Sequence, residues 1–75
     1  MTSGVALLRE ILESCTESER KIAGYLIENP KTAVFCTIAE LARQADTNTP
    51  AVVRLCKRAC LSGYRELQIL LTRDV

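Results

Sequence analysis

The 75-residue sequence has no histidine and no tryptophan, and its only aromatic residues are one phenylalanine and two tyrosines. A core without large rings must be aliphatic. With only three glycines and two prolines, this composition favours helices over a sheet. No stretch approaches the ~20 apolar residues of a membrane span, and the N-terminus lacks the basic-then-apolar pattern of a signal peptide. We therefore expect one cytoplasmic, all-α domain over residues 1–75.

The same absences argue against an enzyme. There is no histidine to act as a general base, no glycine-rich loop for a phosphate group, and no serine or cysteine beside an obvious base. The sequence therefore predicts no catalytic residues and no cofactor.

The four cysteines do not form a recognisable metal or disulfide pattern. They are scattered without C-x-x-C spacing, and zinc needs four ligands where no histidine is available. Cys56 and Cys60 are four residues apart and so are expected on one helix face. We interpret all four as small, buried apolar side chains and expect no bound metal.

Five helices are predicted from apolar residues that recur at i, i+3, i+4 and i+7 and from residues suited to capping. Two segments have the form of a capping box, in which a threonine and a glutamate three residues later each accept the other's backbone N–H. The predicted helices start near the following residues: Val5, Thr16, Thr37, Asn48 and Tyr64. Residues 30–36 are expected to connect the second and third helices, with Val34 and Phe35 filling the core.

The third and fourth helices have the spacing of a helix-turn-helix, so the fold class we predict is a homeodomain-like five-helix bundle that contains this motif. Ala42 supplies the small residue needed where the second helix of the motif crosses the first, and Val52 and Leu55 supply apolar partners. The turn of such a motif often needs a positive φ. Asp46 stands at that position and can adopt it at some cost.

Basic side chains are concentrated in the second part of the chain. Residues 1–30 contain three basic and five acidic residues, whereas residues 31–75 contain seven basic and four acidic residues. On the outward face of the fourth helix, Thr49, Ala51 and Arg54 are expected to meet base edges. Phosphate contacts are expected further along the chain and at the N-terminus of the third helix, from Lys57, Arg58, Arg65 and the free N–H groups near Thr37. This pattern predicts double-stranded DNA as the partner, with the fourth helix, residues 49–60, in the major groove.

A helical protein–protein interaction or dimerisation module is the alternative. It differs from a DNA-binding domain in what covers the fourth helix, because an interaction surface would expose apolar or aromatic anchors there. The sequence instead places threonine, arginine and lysine on that face.

Several segments resemble the N-terminal domain of the RpiR family of bacterial regulators of sugar-phosphate metabolism. Their order and spacing match from about residue 16 to residue 71. The matching segments are SERKIA at 18–23, ENP at 28–30, TIAELA at 37–42, PAVVRLCK at 50–57 and GYREL at 63–67.

The resemblance implies an all-helical DNA-binding domain of a transcriptional repressor, usually dimeric and joined to a C-terminal sugar isomerase (SIS) domain that senses a phosphosugar. That domain is not in this sequence, which we interpret as truncated, so a phosphosugar effector would act only through the missing part. Family-like base contacts fall on Asn48, Thr49, Pro50, Ala51 and Arg54.

Four positions depart from the family pattern. Asp46 and Cys60 stand where glycine is usual, Thr47 where an apolar residue is usual, and Ala51 where a hydroxyl residue is usual.

A homodimer is expected because helix-turn-helix dimers read paired half-sites. Part of its interface is placed on the first helix, whose apolar side chains exceed one stripe: Val5, Leu7, Leu8, Ile11 and Leu12.

Overall fold

The computed structural model describes residues 3–73 and contains no strand within that range. Its helices are α1 (Gly4–Ile11), α2 (Glu17–Glu28), α3 (Thr32–Phe35), α4 (Ile38–Gln44), α5 (Thr49–Arg58) and α6 (Tyr64–Arg73), with one 3₁₀ turn (Leu12–Ser14) after α1. The all-helical prediction is confirmed, but the described part of the chain has six α-helices where five were expected. None of them is long and apolar enough to cross a membrane.

Both predicted capping boxes are present. The Thr16 hydroxyl accepts from the backbone N–H of Glu19 at 3.3 Å, and the Glu19 carboxylate accepts from the N–H of Thr16 at 3.2 Å. The Thr37 hydroxyl likewise accepts from the N–H of Glu40 at 3.2 Å. These bonds satisfy N–H groups that a helix leaves unpaired at its start, and they fix where α2 and α4 begin.

The additional helix is α3, and it corrects the prediction that Val34 and Phe35 fill the core. Phe35 is 82% exposed, and Val34 is only half-buried. A four-residue helix makes barely one turn, so only one of its side chains faces inward, and here that residue is Ala33. Tyr64 and Gln68 of α6 hold α3 in place by donating hydrogen bonds to the carbonyls of Ala33 and Cys36.

The core is aliphatic, as the composition predicts. Its largest fully buried hydrophobic side chains come from five of the six helices: Leu8, Ile22, Leu26, Leu41, Leu55, Leu67 and Leu71. Leu8 is therefore not available to a dimer interface on α1, which corrects that part of the expectation.

The cysteines do not share one environment. Cys15 and Cys56 are buried, Cys36 is half-buried and Cys60 is exposed, so the prediction of four buried thiols is wrong for Cys60. Its backbone has left α5 and adopts φ 62°, which turns it away from the face that carries Cys56. Burial raises the pKa of the Cys56 thiol to about 11.

Candidate nucleic-acid interface

The helix-turn-helix consists of α4, a turn over residues 45–48, and α5. Ala42 is buried at the position where the sequence predicts a small contact residue, and Val52 and Leu55 of α5 are fully buried in the same core cluster. The close packing of these small and branched side chains sets α5 against the body of the domain. The opposite face of α5 remains open to solvent.

The turn ends α4 with a left-handed residue, as predicted. Asp46 has φ 59°, its N–H donates to the carbonyl of Arg43 at 3.1 Å, and the N–H of Thr47 donates to the carbonyl of Ala42 at 2.8 Å. This pair of bonds is the Schellman arrangement, which satisfies carbonyls at the end of a helix. The Thr47 hydroxyl oxygen lies buried in the turn without a hydrogen-bond partner among the described residues.

The start of α5 is capped by Asn48. Its Oδ1 accepts from the N–H of Ala51 at 3.0 Å, and Pro50 lies in the first turn, where its missing N–H costs no hydrogen bond. The amide oxygen of Asn48 is thus used inside the protein. Asn48 is also expected to contact a base, and its side-chain NH₂ group is what remains for that contact.

Ala51 is fully buried, so its expected place on the outward face of α5 is wrong. It lies one turn before Leu55 and two turns before Ala59, and these three residues form one inward row of the helix. The row that the sequence pattern placed inward at Leu55 and Ala59 therefore begins one turn earlier, at Ala51. A side chain at this position supports the fold and cannot reach a base from this arrangement.

The solvent face of α5 includes a residue that the sequence analysis overlooked. Val53 is 42% exposed and occupies the row between Thr49 and Lys57, each one turn away. Alternation with the inward residue Val52 could have revealed it, since adjacent helix positions differ by about 100° in direction. The exposed face of α5 consists of Thr49, Pro50, Val53, Arg54, Lys57 and Arg58.

The sequence also gave no sign of the carboxylate beneath this face. Glu19 of α2 is fully buried, and its Oε1 accepts a hydrogen bond from Nε of Arg58 at 2.6 Å. Its Oε2 lies 3.5 Å from Nε of Arg54. The hydrogen bond from Arg58 lowers the pKa of Glu19 against the opposing effect of burial, and the bond in turn raises the pKa of Arg58.

The predicted cationic residues differ in how firmly they are held. The side chains of Arg54 and Arg58 are 54% and 34% exposed beside Glu19. Lys57 and Arg65 are exposed, with Arg65 in the first turn of α6. All four therefore reach solvent, and two of them share one buried counter-charge.

Of the N–H groups near Thr37 that were expected to bind a phosphate, that of Thr37 itself is engaged. That N–H donates to Oε1 of Glu40 at 2.9 Å, and this hydrogen bond lowers the pKa of the Glu40 carboxyl. A phosphate would have to displace a carboxylate that already occupies the position. A phosphate bound near Thr37 would therefore have to use the N–H groups of Ile38 and Ala39, which the capping box does not engage.

The chain is similar to known helix-turn-helix proteins. Residues 2–75 match the family model of the helix-turn-helix domain of the rpiR family. Over 69 residues the chain is 41% identical to a helix-turn-helix-type transcriptional regulator of Caldanaerobacter subterraneus subsp. tengcongensis, covering 92% of this chain and 24% of that regulator. The chain thus spans about a quarter of the length of the curated relatives it first matches.

Two solved structures share the fold. The N-terminal domain of the transcriptional regulator YbbH from Bacillus subtilis superimposes with a TM-score of 0.90 at 32% identity, covering 96% of this chain and 88% of that one. The NanR protein of Vibrio vulnificus, complexed with ManNAc-6P, superimposes with a TM-score of 0.88 at 33% identity, covering 96% of this chain and 28% of that one. The chain belongs to the rpiR family of helix-turn-helix domains, which are parts of transcriptional regulators.

Proposed function

We propose that this chain binds operator DNA sequence-specifically by inserting α5 into the major groove. The observation that carries the proposal is the exposed face of α5, which holds three cationic side chains and no acidic one within a helix-turn-helix. A cationic face without acidic side chains attracts the phosphate backbone, and α5 projects the side chains that the major groove can distinguish.

The residues proposed to meet bases are Thr49, Pro50, Val53 and Arg54. Arg54 can donate two hydrogen bonds to O6 and N7 of a guanine, and the Val53 side chain can contact a thymine methyl group. The amide NH₂ of Asn48 can reach the same edge of the groove. Val53 replaces Ala51 in this set, because Val53 is exposed and Ala51 is buried.

Lys57, Arg58 and Arg65 are proposed to contact phosphates. Nε of Arg58 is bonded to Glu19, which leaves its terminal NH₂ groups for a phosphate oxygen. Lys57 and Arg65 lie beyond the base-reading turn of α5, where a docked helix approaches the backbone. These contacts orient the domain without selecting a sequence.

We further propose that the intact regulator represses genes of sugar metabolism and responds to a sugar phosphate through a SIS domain outside this chain. The support is the NanR neighbour, which is complexed with ManNAc-6P and of which this chain matches 28%. A regulator of chromosomal operators would work in the cytoplasm at the nucleoid.

We propose that the regulator acts as a homodimer, with half-sites one DNA turn apart. The residues of α1 and the following 3₁₀ turn that support an interface are those only half-buried in the single chain, namely Val5, Leu7, Ile11 and Leu12. Sedimentation of the intact protein and binding to single and paired half-sites would test this. A monomer that binds single half-sites as tightly as paired ones would contradict it.

The exposed Phe35 favours a second candidate, a protein-interaction module. Its ring is 82% exposed beside a groove lined by Val34, Ile38 and Tyr64. A Phe35→Ala variant separates the two candidates, because a DNA-binding domain should keep its affinity for DNA when this ring is removed from α3.

The binding of labelled duplexes across a salt series tests the proposed function. Three phosphate contacts should give a slope of log K against log salt of about −3 for each chain that binds. Selection from a random duplex pool should then yield a preferred site bound more tightly than its scrambled version. A slope near zero with no enriched site would contradict DNA binding by this chain.

A further inference from the structure

We propose that Glu19 is a specificity-determining positioning residue, which holds the Arg54 guanidinium in the orientation that reads a base although Glu19 itself never reaches DNA. This inference rests on the base contact proposed above for Arg54. It concerns a residue on α2, outside the helix-turn-helix, and it assigns a role in DNA recognition to a buried side chain.

The two oxygens of the Glu19 carboxylate have different partners. Oε1 accepts from the backbone N–H of Thr16 at 3.2 Å and from Nε of Arg58 at 2.6 Å. Oε2 accepts no hydrogen bond among the described residues, and Nε of Arg54 lies 3.5 Å from it. Oε1 therefore fixes the position of the carboxylate relative to α2 and α5, and Oε2 places negative charge close to Arg54.

A guanidinium that turns its Nε towards a carboxylate can still use both of its terminal NH₂ groups. Those two groups form a parallel pair of donors that matches O6 and N7 of guanine. An arginine without this anchor would have to lose the freedom of several rotatable bonds when it binds. The penalty for ordering such a side chain at an interface corresponds to a loss of about 2- to 10-fold in affinity.

Although Glu19 should strengthen specific binding through Arg54, it should weaken binding to DNA irrespective of sequence. Its negative charge lies directly under a cationic face, and burial protects that charge from screening by salt. Removing the charge makes the face more positive and strengthens attraction to phosphate. Loss of the carboxylate should therefore weaken specific binding and leave non-specific binding equal or stronger.

Glu19→Gln is the sharpest variant for this test. The glutamine carbonyl can replace Oε1 as the acceptor for Thr16 and Arg58, whereas the amide nitrogen facing Arg54 removes the attraction at Oε2. Glu17→Gln is the matched control, because Glu17 lies in the same first turn of α2, is exposed and has no arginine partner in the structure as described. It changes the net charge by the same amount without changing the surroundings of Arg54.

The experiment measures affinity for the selected duplex and for its scrambled version by fluorescence anisotropy. We expect Glu19→Gln to lower the ratio of the two affinities by about 2- to 10-fold, with scrambled binding unchanged or stronger. Glu17→Gln should leave the ratio unchanged. If Glu19→Gln lowers the affinity for both duplexes equally, the role of Glu19 is only structural. If it raises the affinity for both, Glu19 only competes with DNA phosphates for the arginine side chains. Either result would overturn the proposal.

An Arg54→Ala arm separates failure of this inference from failure of the proposed function. If Arg54→Ala keeps full specificity, the proposed base contact is wrong, and so is the role of Glu19 that depends on it. If Arg54→Ala loses specificity and Glu19→Gln does not, only the positioning role is wrong. In the Arg54→Ala background, Glu19→Gln should cause no further loss of specificity.

A measurement on the unmodified chain keeps the inference testable if Glu19→Gln does not fold. Proton exchange at Nε of Arg54, followed by ¹⁵N NMR without DNA, should be slower than at Nε of Arg43, which is exposed on α4. Equal exchange at the two sites would show that Glu19 does not hold Arg54.

Discussion

Nε of Arg58, in the last turn of α5, lies 2.6 Å from Oε1 of Glu19, in the first turn of α2. The same oxygen accepts the N–H of Thr16 that starts α2. One buried carboxylate therefore joins the beginning of α2 to the end of the proposed recognition helix. The direction of α5 depends on this ion pair as well as on the apolar packing of Val52 and Leu55.

The first prediction concerns acid stability. Because the hydrogen bond from Arg58 lowers the pKa of Glu19 below its ordinary value of 4.5, the unfolded chain binds this proton more readily than the folded one. The stabilisation is present above pH 4.5 and is lost as the pH falls through the lower, folded-state pKa. Urea unfolding at several pH values should show a smaller acid loss for Glu19→Gln than for the unsubstituted chain. An identical pH profile would contradict the account.

Some acid loss should remain in that variant. Hydrogen bonds from the backbone N–H groups of Thr37 and Ser62 also lower the pKa values of Glu40 and Glu66. Glu40→Gln combined with Glu19→Gln should therefore flatten the profile further.

The second prediction contrasts two glycines. A Cβ added at Gly4 would lie 3.1 Å from the backbone of Leu70 and Leu71, because α1 and α6 approach closely there, whereas one added at Gly24 meets nothing within 4 Å. Gly4→Ala should lower the unfolding free energy by about 1–3 kcal/mol through overpacking. Gly24→Ala, inside α2, should raise it by about 0.5–1 kcal/mol through helix propensity. Denaturant unfolding that shows the same sign for both would refute the close approach.

The residues of α5 show which side-chain directions can be predicted from a sequence pattern. The period of apolar residues correctly placed Val52, Leu55 and Cys56 inward, and it placed Arg54 and Lys57 outward. It assigned Ala51 to the wrong face because an alanine is small enough to suit either side of a helix. Whether Ala51 faces the core or the solvent depends on how α5 packs against its neighbouring helices, and this packing cannot be predicted from the local sequence pattern.

The ion pair between Glu19 and Arg58 was hidden from the sequence for a different reason. Its partners are 39 residues apart, and Glu19 already had a sufficient local explanation as part of a capping box. Phe35 was misplaced because apolar character alone predicts burial, whereas the single turn of α3 turns only Ala33 inward. The caps and the left-handed conformation of Asp46 could be predicted because their causes lie within a few residues.

The third prediction concerns the turn of the helix-turn-helix. The Thr47 hydroxyl oxygen is buried without a hydrogen-bond partner among residues 3–73, and a buried polar group in that state costs free energy. Thr47→Val keeps the shape and removes the hydroxyl, so it should raise the unfolding free energy by about 1 kcal/mol. Thr47→Ser, which keeps the hydroxyl and loses the methyl group, should not. Destabilisation by Thr47→Val would show that a partner such as water satisfies the hydroxyl.

The fourth prediction concerns the end of α5. Cys60 has φ 62°, its N–H donates to the carbonyl of Lys57, and the N–H of Leu61 donates to the carbonyl of Cys56. This left-handed conformation costs a side-chain-bearing residue about 1 kcal/mol that glycine avoids. Cys60→Gly should raise the melting temperature, and Cys60→Ser, which removes the thiol and keeps the Cβ, should leave it close to that of the unsubstituted chain. A stabilisation by Cys60→Ser of equal size would point to the thiol instead of the backbone.

We propose that α5 reads bases through Arg54 while its other cations contact phosphates. The decisive measurement compares Arg54→Ala with Lys57→Ala on the selected duplex and on its scrambled version across a salt series. Arg54→Ala should lose about tenfold or more on the selected duplex alone, whereas Lys57→Ala should weaken both duplexes alike and reduce the salt slope by about one unit. Equal losses on both duplexes for Arg54→Ala, or unchanged affinity in both variants, would contradict base reading by this face of α5.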